Sequence, residues 1–499
     1  MDPELKNDSI KGVTVMGKYY LAIDIGASSG RHILGSVQDG RMILEEIFRF
    51  DNKQVEKNGH VCWDMDALWE GVLGGLKKCG ELGKIPETVG IDTWAVDYVL
   101  LGEDGEPVSD AVAYRDSRTD GMDEELAKYI TPQELYQRTG IQKQIFNTIY
   151  QFLALKKDHP EQLEKAADML MIPDYLNYLL TGVKKQEYTN ATSTNLVNAE
   201  EKTWDRDVIR RLGLPERIFK ELSMPGTVVG PLKEEIAKEV GFSTTVILPA
   251  THDTGSAFLA VPAANETSVV LSSGTWSLLG VENEKPVTTE ESRLQNFTNE
   301  GGAWYRFRYL KNIMGLWVIQ SIRRELNGVA YVAGRESAHA TGKQYGFQDL
   351  IREAQEAGEN GFSSVVDIND DRFLAPESMI DEIKKACGDL GQKVPQNVGE
   401  LMQCVYLSLS QCYADAIRNL SELTGKTYTD INIVGGGCQD QYLNQMTAKA
   451  TGLPVHAGPV EGTAIGNMII QMIAGGEYED LAQARASIRE SFEIAEYTP

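Results

Sequence analysis

Apolar residues occur in short runs along the first part of the chain, and each run ends in turn-forming residues. Tyr19–Ile25 is followed by a Ser/Gly turn, after which the apolar pattern resumes at Arg31–Ser36. Further strands are predicted at Val89–Asp92 and Val96–Leu101. Between them, a helix with an acidic N-terminus is predicted from the spacing of Leu68, Val72, Leu73 and Leu76. Strands that alternate with helices predict an α/β fold.

The opening pattern of the chain recurs near its middle. Ala22–Gly30 has a counterpart in Val269–Ser277, since each consists of an apolar strand and a Ser/Gly/Thr turn that leads into a second apolar strand. Two unrelated hairpins would give the same pattern, so duplication and coincidence both stay open. Between the copies, Pro249–Gly255 is predicted to be a strand-end loop near the junction of two halves.

Length and charge restrict the architecture and the partners. A chain of 499 residues exceeds the size at which a single core stops growing, so two or three domains are expected. The hydrophobic fraction of 42% is typical of a globular protein. The formal net charge of −25 repels phosphate backbones, so neither nucleic acid nor an anionic membrane is an expected partner.

The cysteines and the N-terminal residues indicate the compartment. The six cysteines lie far apart without a CxxC pair, which is typical of reduced thiols and not of a disulfide framework or a zinc site. Residues 1–16 are polar and lack the apolar segment of a signal peptide, so we expect a flexible N-terminal extension. No apolar run is long enough to span a bilayer. We therefore expect a cytoplasmic protein.

Three glycine-containing loops follow apolar strands and have the composition of phosphate-binding loops. Gly26–Arg31 offers backbone N–H groups, serine hydroxyls and a cation, and Gly274-Thr275 offers a second such loop. Gly435–Gly437 follows the apolar run Ile431–Val434, where bare backbone can approach a nucleotide. Each loop alone is also consistent with an ordinary turn, but three in this order favour a nucleotide site.

Two common nucleotide-binding motifs are excluded by single positions. Thr424–Thr427 reads Thr-Gly-Lys-Thr, but a Walker A motif requires glycine at position 420, which is Leu420. The glycine triplet fails the G-x-G-x-x-G spacing because Asp440 occupies the third glycine position. Neither a P-loop NTPase nor a Rossmann dehydrogenase is therefore predicted.

Two aspartates and one histidine are candidate chemical groups. Asp24, at the end of the first strand, is placed to order waters around Mg²⁺ on ATP phosphates, or simply to cap a turn. Asp253, in a Thr-His-Asp-Thr loop, is a candidate acceptor for a proton from a sugar hydroxyl. His252 beside it either hydrogen-bonds that sugar or has a structural role.

At this level of detail the chain resembles the FGGY carbohydrate kinases, members of the actin and hexokinase-like ATPase superfamily, from about Tyr19 to about Phe492. The segments that carry the resemblance are Asp24–Arg31, Gly90–Asp97, Ala113–Arg118, Glu187–Thr192, His252–Thr254, Leu271–Ser277, Thr298–Gly302, Leu310–Trp317, Asn369–Phe373 and Ile433–Gln439. Ten segments in this order form a highly specific match.

The resemblance implies a fold and an activity. It implies an α/β protein of two ribonuclease-H-like (actin-like ATPase) domains, residues 17–260 and 261–499, with an interdomain cleft. The implied activity is transfer of the γ-phosphate of Mg-ATP to a small ketose, with L-rhamnulose as the first candidate and L-fuculose, L-xylulose and D-xylulose as alternatives. A non-catalytic actin-like ATP or sugar sensor is the alternative from another class, and the oligomeric state is left open.

The resemblance also implies roles for individual residues. Asp253 would be the proton acceptor, and Asp24 the metal-associated carboxylate. The nucleotide would contact Ala27, Ser28, Ser29, Gly30, Arg31, Thr275, Gln320 and Gly436. The sugar would contact Ala95, His252, Asp253, Thr254 and Asn312. Ala95 stands where the family pattern has glycine, which implies either a tolerated methyl group or a slightly smaller sugar pocket.

Overall fold

The computed structural model describes residues 18–262, 266–332, 335–337 and 344–499, so the predicted extension at residues 1–16 lies outside the described residues. The described chain contains two large β-sheets, each covered by helices. All strands of the first sheet precede residue 260, and all strands of the second follow residue 267. The boundary between residues 260 and 261 stays a proposal, because helices of the second half also cover the first sheet.

The first half contains the following elements. Its strands are β1 (Tyr19–Ile25), β2 (Ser29–Gln38), β3 (Arg41–Asp51), β4 (Gln54–Lys57), β5 (His60–Trp63), β6 (Pro86–Thr93), β7 (Tyr98–Leu101), β8 (Asp168–Met171), β9 (Gln186–Glu187), β10 (Val197–Asn198), β11 (Thr203–Trp204), β12 (Leu222–Ser223), β13 (Val228–Pro231) and β14 (Thr245–Ile247). Its helices are α1 (Met65–Leu82), α2 (Met122–Leu126), α3 (Pro132–Thr139), α4 (Thr148–Asp158), α5 (Pro160–Lys165), α6 (Ile172–Thr181), α7 (Tyr188–Thr192), α8 (Arg206–Arg211), α9 (Glu234–Val240) and α10 (Asp253–Leu259).

The second half continues the numbering. Its strands are β15 (Ser268–Ser273), β16 (Ser277–Asn283), β17 (Phe297–Gly301), β18 (Phe307–Ile313), β19 (Ala330–Val332), β20 (Arg335–Ser337), β21 (Asp430–Val434), β22 (Val455–Ala457) and β23 (Ala495–Tyr497). Its helices are α11 (Glu290–Leu294), α12 (Trp317–Leu326), α13 (Phe347–Glu359), α14 (Met379–Asp389), α15 (Val398–Thr424), α16 (Gln441–Thr451), α17 (Gly462–Ala474) and α18 (Leu481–Ser491).

The two sheets share one strand arrangement. The first has the order β13-β14-β6-β1-β2-β3, and the second has the order β23-β22-β21-β15-β16-β18-β17. In each sheet the first strand pairs antiparallel with the next one in sequence and parallel with a later one, as β1 does with β2 and β6 and as β15 does with β16 and β21. The internal repeat seen in the sequence is therefore confirmed as a topological duplication.

The predicted helix is observed, and one predicted strand is shorter than expected. The Asp64 carboxylate accepts a bond from the Ala67 amide and caps α1, and Gly83, with φ of 66°, ends it. The strand expected at Val96–Leu101 begins only at Tyr98 as β7. Val96 has φ of 68°, a left-handed conformation that no regular strand contains. This residue belongs to the turn after β6, beside Ala95.

A helix from the end of the chain joins the two halves. Ile465, Met468 and Met472 on α17 form one buried cluster with residues of β1 and β2, including Tyr20 and Ile33. A Cβ added at Gly35 would lie 2.1 Å from the Met468 sulfur, so the absence of a side chain at Gly35 makes room for the Met468 side chain of the helix. Among the helices of the described ranges, none is long and apolar enough to cross a lipid bilayer.

Candidate active site

Three carboxylates converge at the carboxyl edge of the first sheet. Asp24 on β1 lies directly opposite Asp92 on the parallel strand β6. The next residue of β6, Thr93, bridges to His252, which immediately precedes Asp253 at the start of α10. Carboxyl ends of neighbouring parallel strands meet at the edge where α/β proteins bind ligands. The sequence predicted Asp24 and Asp253 here, and the structure adds Asp92.

Asp253 is a carboxylate with raised basicity. Its Oδ1 accepts hydrogen bonds from the Thr254 amide at 2.6 Å and from the Thr254 hydroxyl at 3.1 Å, while 33% of the side chain remains exposed. Burial and then the nearby charge of Asp24 raise the pKa of Asp253 to about 7. A carboxylate that titrates near neutrality is suited to accept a proton during a reaction.

Asp92 is fully buried between the halves of the molecule. Its Oδ2 accepts a bond from Asn467 Nδ2 on α17 at 2.5 Å, and its Oδ1 has no hydrogen-bond partner within the described part of the chain. Burial and the charge of Asp24 raise the pKa of Asp92 well above its usual range. An unpartnered buried carboxylate oxygen is costly, so Asp92 is a candidate for a ligand-related role.

Arg31 links the first glycine loop to the second half. It lies opposite Asp24 on β2, and its Nε and Nη2 donate to Asp24 Oδ2 at 3.1 and 2.9 Å. Its Nη1 lies 2.6 Å from Glu461, the residue that precedes α17. Two carboxylates thus hold the predicted phosphate-binding cation at the interface of the two halves.

The first predicted phosphate loop is a tight, externally braced turn. The Gly26 amide donates to the Ser29 carbonyl at 2.9 Å, and Asn52 donates from its backbone to Ser28 and from its side chain to Gly26. Ala27 and Ser28 are left exposed at the tip. A Cβ at Gly30 would lie 2.2 Å from the Phe50 ring, so the ring packs directly on the backbone of Gly30 and would have to shift for a larger residue. The backbone at the tip is therefore held by these bonds and not by the side chains of Ala27 and Ser28.

The second loop and the glycine triplet lie side by side, as adjacent parallel strands require. Ser272 on β15 pairs with Val434 on β21, so Gly274-Thr275 and the triplet extend from neighbouring strand ends. The Leu316 and Trp317 amides donate to the Gly274 and Thr275 carbonyls and connect this loop to α12, where the predicted residue Gln320 is half-buried.

The three glycines of the triplet have different roles. Gly435 has φ of 88°, and a Cβ at Gly437 would lie only 1.9 Å from Ser273 Oγ, so these two positions require glycine for close packing on β15. Gly436 is exposed, and a Cβ there would have no neighbour within 4 Å. Of the three, only Gly436 faces open space where a nucleotide has access.

His252 is held by a residue from the opposite half of the molecule. Arg308 Nη2, on β18, donates to His252 Nδ1 at 3.1 Å, and Arg308 also forms a buried ion pair with Glu300 at 2.9 Å. Burial and the charge of Arg308 lower the pKa of His252 well below its usual range, so the ring is neutral. Because a guanidinium can only donate, this hydrogen bond requires the imidazole proton on Nε2, 3.5 Å from Asp253 Oδ1, although Glu300 Oε2 also lies 3.4 Å from Nδ1.

The remaining predicted sugar contacts lie on both sides of this cluster. Thr254 is buried beside Asp253, and Ala95 is half-buried in the turn that follows β6. Ala95 is not among the residues with positive φ, so its methyl group causes no backbone strain. Asn312 on β18 donates to Gln142 Oε1 at 3.2 Å and thus connects the second half to the first.

The sequence did not single out several residues that the structure places at this site. Asp92, Glu187, Glu300, Arg308 and Glu461 each pair with or contact a predicted residue or its immediate neighbour, and Asn467 donates to Asp92. Asp92, Glu187 and Glu300 lie within segments that carry the family resemblance, which was the available signal. Arg308, Glu461 and Asn467 have no local pattern that distinguishes them.

Comparisons with known proteins agree with this fold. The duplicated sheets superpose on the gluconate kinase of Lactobacillus acidophilus with a TM-score of 0.78 at 19% identity, over 97% of this chain and 94% of that one. The glycerol kinase of Plasmodium falciparum with ADP gives a TM-score of 0.73 at 14% identity, over 96% and 94% of the two chains. At these identities the likeness concerns the fold alone, and it shows that the two-sheet α/β architecture of this chain is shared with those proteins.

The sequence comparisons identify the family. The N-terminal domain of the FGGY family of carbohydrate kinases matches residues 19–260, and the C-terminal domain matches residues 269–475. The chain belongs to the FGGY family of carbohydrate kinases. A rhamnulokinase of Halalkalibacterium halodurans is 50% identical over 96% of this chain and 98% of its own length. That of Oceanobacillus iheyensis is 49% identical over 96% and 97%, and that of Bacillus subtilis is 42% identical over 96% and 95%.

Proposed function

We propose that this protein transfers the γ-phosphate of ATP to the C1 hydroxyl of L-rhamnulose and yields L-rhamnulose 1-phosphate and ADP. The names of relatives that are 40–50% identical along almost the whole chain support the substrate. The observation that carries the chemistry is Asp253, whose pKa of about 7 suits a proton acceptor, beside a histidine with a defined donor nitrogen.

In this proposal Asp253 accepts the hydroxyl proton as the sugar oxygen bonds to the γ-phosphorus. The bond from phosphorus to the bridging oxygen of ADP breaks in line with the attack. Phosphoryl transfer needs little covalent help from the protein, so positioning and charge stabilisation supply most of the acceleration. The amide and the hydroxyl of Thr254 both donate to Oδ1, and they fix the orientation of the Asp253 carboxylate that accepts the proton.

The sugar is proposed to bind to Ala95, His252, Asp253, Thr254 and Asn312. His252 donates from Nε2, because Arg308 occupies Nδ1. Asn312 and His252 belong to opposite halves that already touch through Arg308 and Gln142. A sugar held by both would complete its contacts only when the halves are together, which would exclude water and limit ATP hydrolysis.

ATP is proposed to bind to the loops that follow β1, β15 and β21. The braced turn at Ala27–Arg31 would meet phosphates through backbone N–H groups and the Arg31 guanidinium, and Thr275 would do so from the second sheet. Gly436 and Gln320 would contact the nucleoside part. Support for Gly436 comes from the open space above it.

Mg²⁺ is proposed to accompany ATP. Within the described ranges, no group of three or more His, Cys, Asp or Glu side chains is arranged to hold a metal ion alone. Mg²⁺ nevertheless fits, since it keeps several waters and takes few carboxylates together with substrate phosphates. Asp24 and the unpartnered oxygen of Asp92 are the oxygen donors that would hold it, directly or through water. When bound, it would neutralise charge on the transferring phosphoryl group.

The cytoplasm is the proposed compartment. All six cysteines are free thiols, five of them buried and Cys412 half-buried, which suits a reducing environment.

A ketose panel tests the substrate and the class of protein together. Purified protein is assayed for ADP formation with L-rhamnulose, L-fuculose, L-xylulose and D-xylulose, and without sugar. L-rhamnulose should give the highest kcat/KM, with little ADP formed in its absence. A different ketose that exceeds it tenfold, about 1.4 kcal/mol in transition-state binding, would overturn the substrate assignment. Binding of ATP and sugar without ADP formation would indicate the sensor alternative.

A further inference from the structure

A second buried carboxylate lies behind the Asp253 loop, outside the predicted sugar and ATP contacts. Glu187, at the junction of β9 and α7, has no exposed surface. Its Oε1 accepts a bond from the Thr189 amide at 2.8 Å, and its Oε2 accepts from the Thr189 hydroxyl at 2.7 Å and the Asn190 amide at 3.0 Å. These three donors belong to the first turn of α7, so Glu187 is the N-cap of that helix.

Two further donors come from a distant part of the chain. The Thr251 hydroxyl donates to Glu187 Oε2 at 2.6 Å, across 64 positions of sequence, and the Thr251 amide donates to the same oxygen at the longer distance of 3.4 Å. Thr251 immediately precedes His252 and Asp253, and its carbonyl accepts a bond from the Thr93 amide at 2.9 Å. Helix capping alone does not require this contact, since the amides of α7 are already satisfied by the same carboxylate.

The burial of Glu187 is energetically unfavourable unless its donors compensate for it. Burial raises the pKa of Glu187, while the hydrogen bonds from Thr251 and from Thr189 and Asn190 act in the opposite direction. Asp174, also fully buried, accepts a bond from the Glu187 amide at 3.1 Å and fixes the backbone from which the side chain extends. Glu187 is thus rigidly held on both sides, and charge-assisted hydrogen bonds of this kind are strong and directional.

We propose that Glu187 is a positioning residue for the transfer reaction, and that it acts on Asp253 through the hydroxyl of Thr251. This inference rests on the proposed function of Asp253 as proton acceptor. Thr93 fixes the Thr251 carbonyl, and Glu187 fixes its side chain, so the loop that carries His252 and Asp253 is held from β6 and from α7. A displacement of about 1 Å in a reacting group costs on the order of 100-fold in rate.

A matched pair of substitutions tests the contact without disturbing the carboxylate. Thr251→Val is close in shape but removes the hydroxyl, whereas Thr251→Ser keeps it. We expect kcat with L-rhamnulose to fall about 10- to 100-fold in Thr251→Val and to stay within about threefold of the wild type in Thr251→Ser. The KM for ATP should stay unchanged in both. Thr447→Val is the control, since it removes an equally buried hydroxyl from α16 in the second half and should leave kcat unchanged.

The route through Thr251 is tested by combining substitutions. If Glu187 acts through Thr251, the double variant Glu187→Gln/Thr251→Val should lose no more kcat than the more impaired single variant. The acid limb of the kcat/KM profile should keep its position, because the Thr251 hydroxyl positions Asp253 without changing the charges around it. If Glu187→Gln does not fold, the comparison of Thr251→Val with Thr251→Ser tests the proposal by itself.

Two results would contradict the positioning role of Glu187. Equal activities of Thr251→Val and Thr251→Ser, or fully multiplicative losses in the double variant, would overturn the positioning role. Wild-type protein without sugar-dependent ADP formation would instead refute the proposed function. Because the positioning test compares variants with an active wild type, the two failures are distinguishable.

Discussion

Arg308 Nη2 lies 3.1 Å from His252 Nδ1, and this bond from one half of the molecule determines which nitrogen of a histidine in the other half carries the proton. A guanidinium can only donate, so Nδ1 accepts and Nε2 is protonated. The arrangement converts an isolated histidine, which the sequence left undecided between structural and ligand roles, into a candidate hydrogen-bond donor beside Asp253.

Removal of this bond should weaken sugar binding more than ATP binding. Arg308 is paired with buried Glu300, so the informative variant is Arg308→Met/Glu300→Gln, which removes both charges and leaves neither buried alone. Relative to the wild type, the KM for L-rhamnulose should rise about 10-fold or more, as expected for one hydrogen bond to a charged group, with the KM for ATP unchanged. ¹⁵N NMR of the wild type should show the Nε2–H tautomer of His252, and an Nδ1–H tautomer would contradict the assignment.

Asp253→Asn should abolish most turnover while both substrates still bind. The amide keeps the shape of the side chain but cannot accept the proton, and loss of a general base costs about 10²–10⁴ in rate. Stopped-time ADP assays would measure kcat, and calorimetry would measure binding of L-rhamnulose and ATP. Turnover within a few-fold of the wild type would show that another group is the base.

The pH dependence of kcat/KM should follow the ionisation of Asp253. A base must be unprotonated, and the pKa of Asp253 is raised to about 7, so kcat/KM should fall tenfold per pH unit below about 7 and level off above it. The negative charge of Asp24 contributes to that raised pKa, so Asp24→Asn should move the acid limb to lower pH. A limb that stays in place or moves upward in Asp24→Asn would contradict this coupling.

Removal of divalent metal should stop catalysis reversibly. Activity is expected to vanish in EDTA and to return with Mg²⁺, because carboxylate oxygens and ATP phosphates are the ligands that this ion prefers. Asp24→Ala should lower kcat far more than it weakens sugar binding measured by calorimetry. Full activity in metal-free buffer would refute the proposed role of Asp24.

The glycine triplet should tolerate a methyl group at only one of two neighbouring positions. Gly437→Ala places a Cβ 1.9 Å from Ser273 Oγ, whereas Gly436→Ala places it in open space. Overpacking of this kind costs about 1–3 kcal/mol, so Gly437→Ala should lower the free energy of unfolding in urea by that amount. Gly436→Ala should unfold like the wild type. Equal loss of stability in both variants would show that the loop packs differently.

The sequence by itself determined those strands and turns that depend mainly on neighbouring residues. Apolar runs that end in Ser/Gly turns specified β1 and β15 and the loops after them, because a short, continuous apolar run bounded by turn residues is a local signal of a buried strand. The order of these segments was enough to indicate the family and with it the candidate roles of Asp24 and Asp253. Those roles stay proposals.

Tertiary structure decided the properties that depend on desolvation and on partners far apart in sequence. The raised pKa of Asp253 requires burial and the approach of Asp24 from β1, and the tautomer of His252 requires Arg308 from β18. Asp92 became part of the site because β6 pairs in register with β1, and Glu187 because Thr251 folds back onto α7. The left-handed backbone of Val96 also depends on distant partners, since its carbonyl accepts a bond from the Thr148 hydroxyl and its amide donates to the Ser193 hydroxyl.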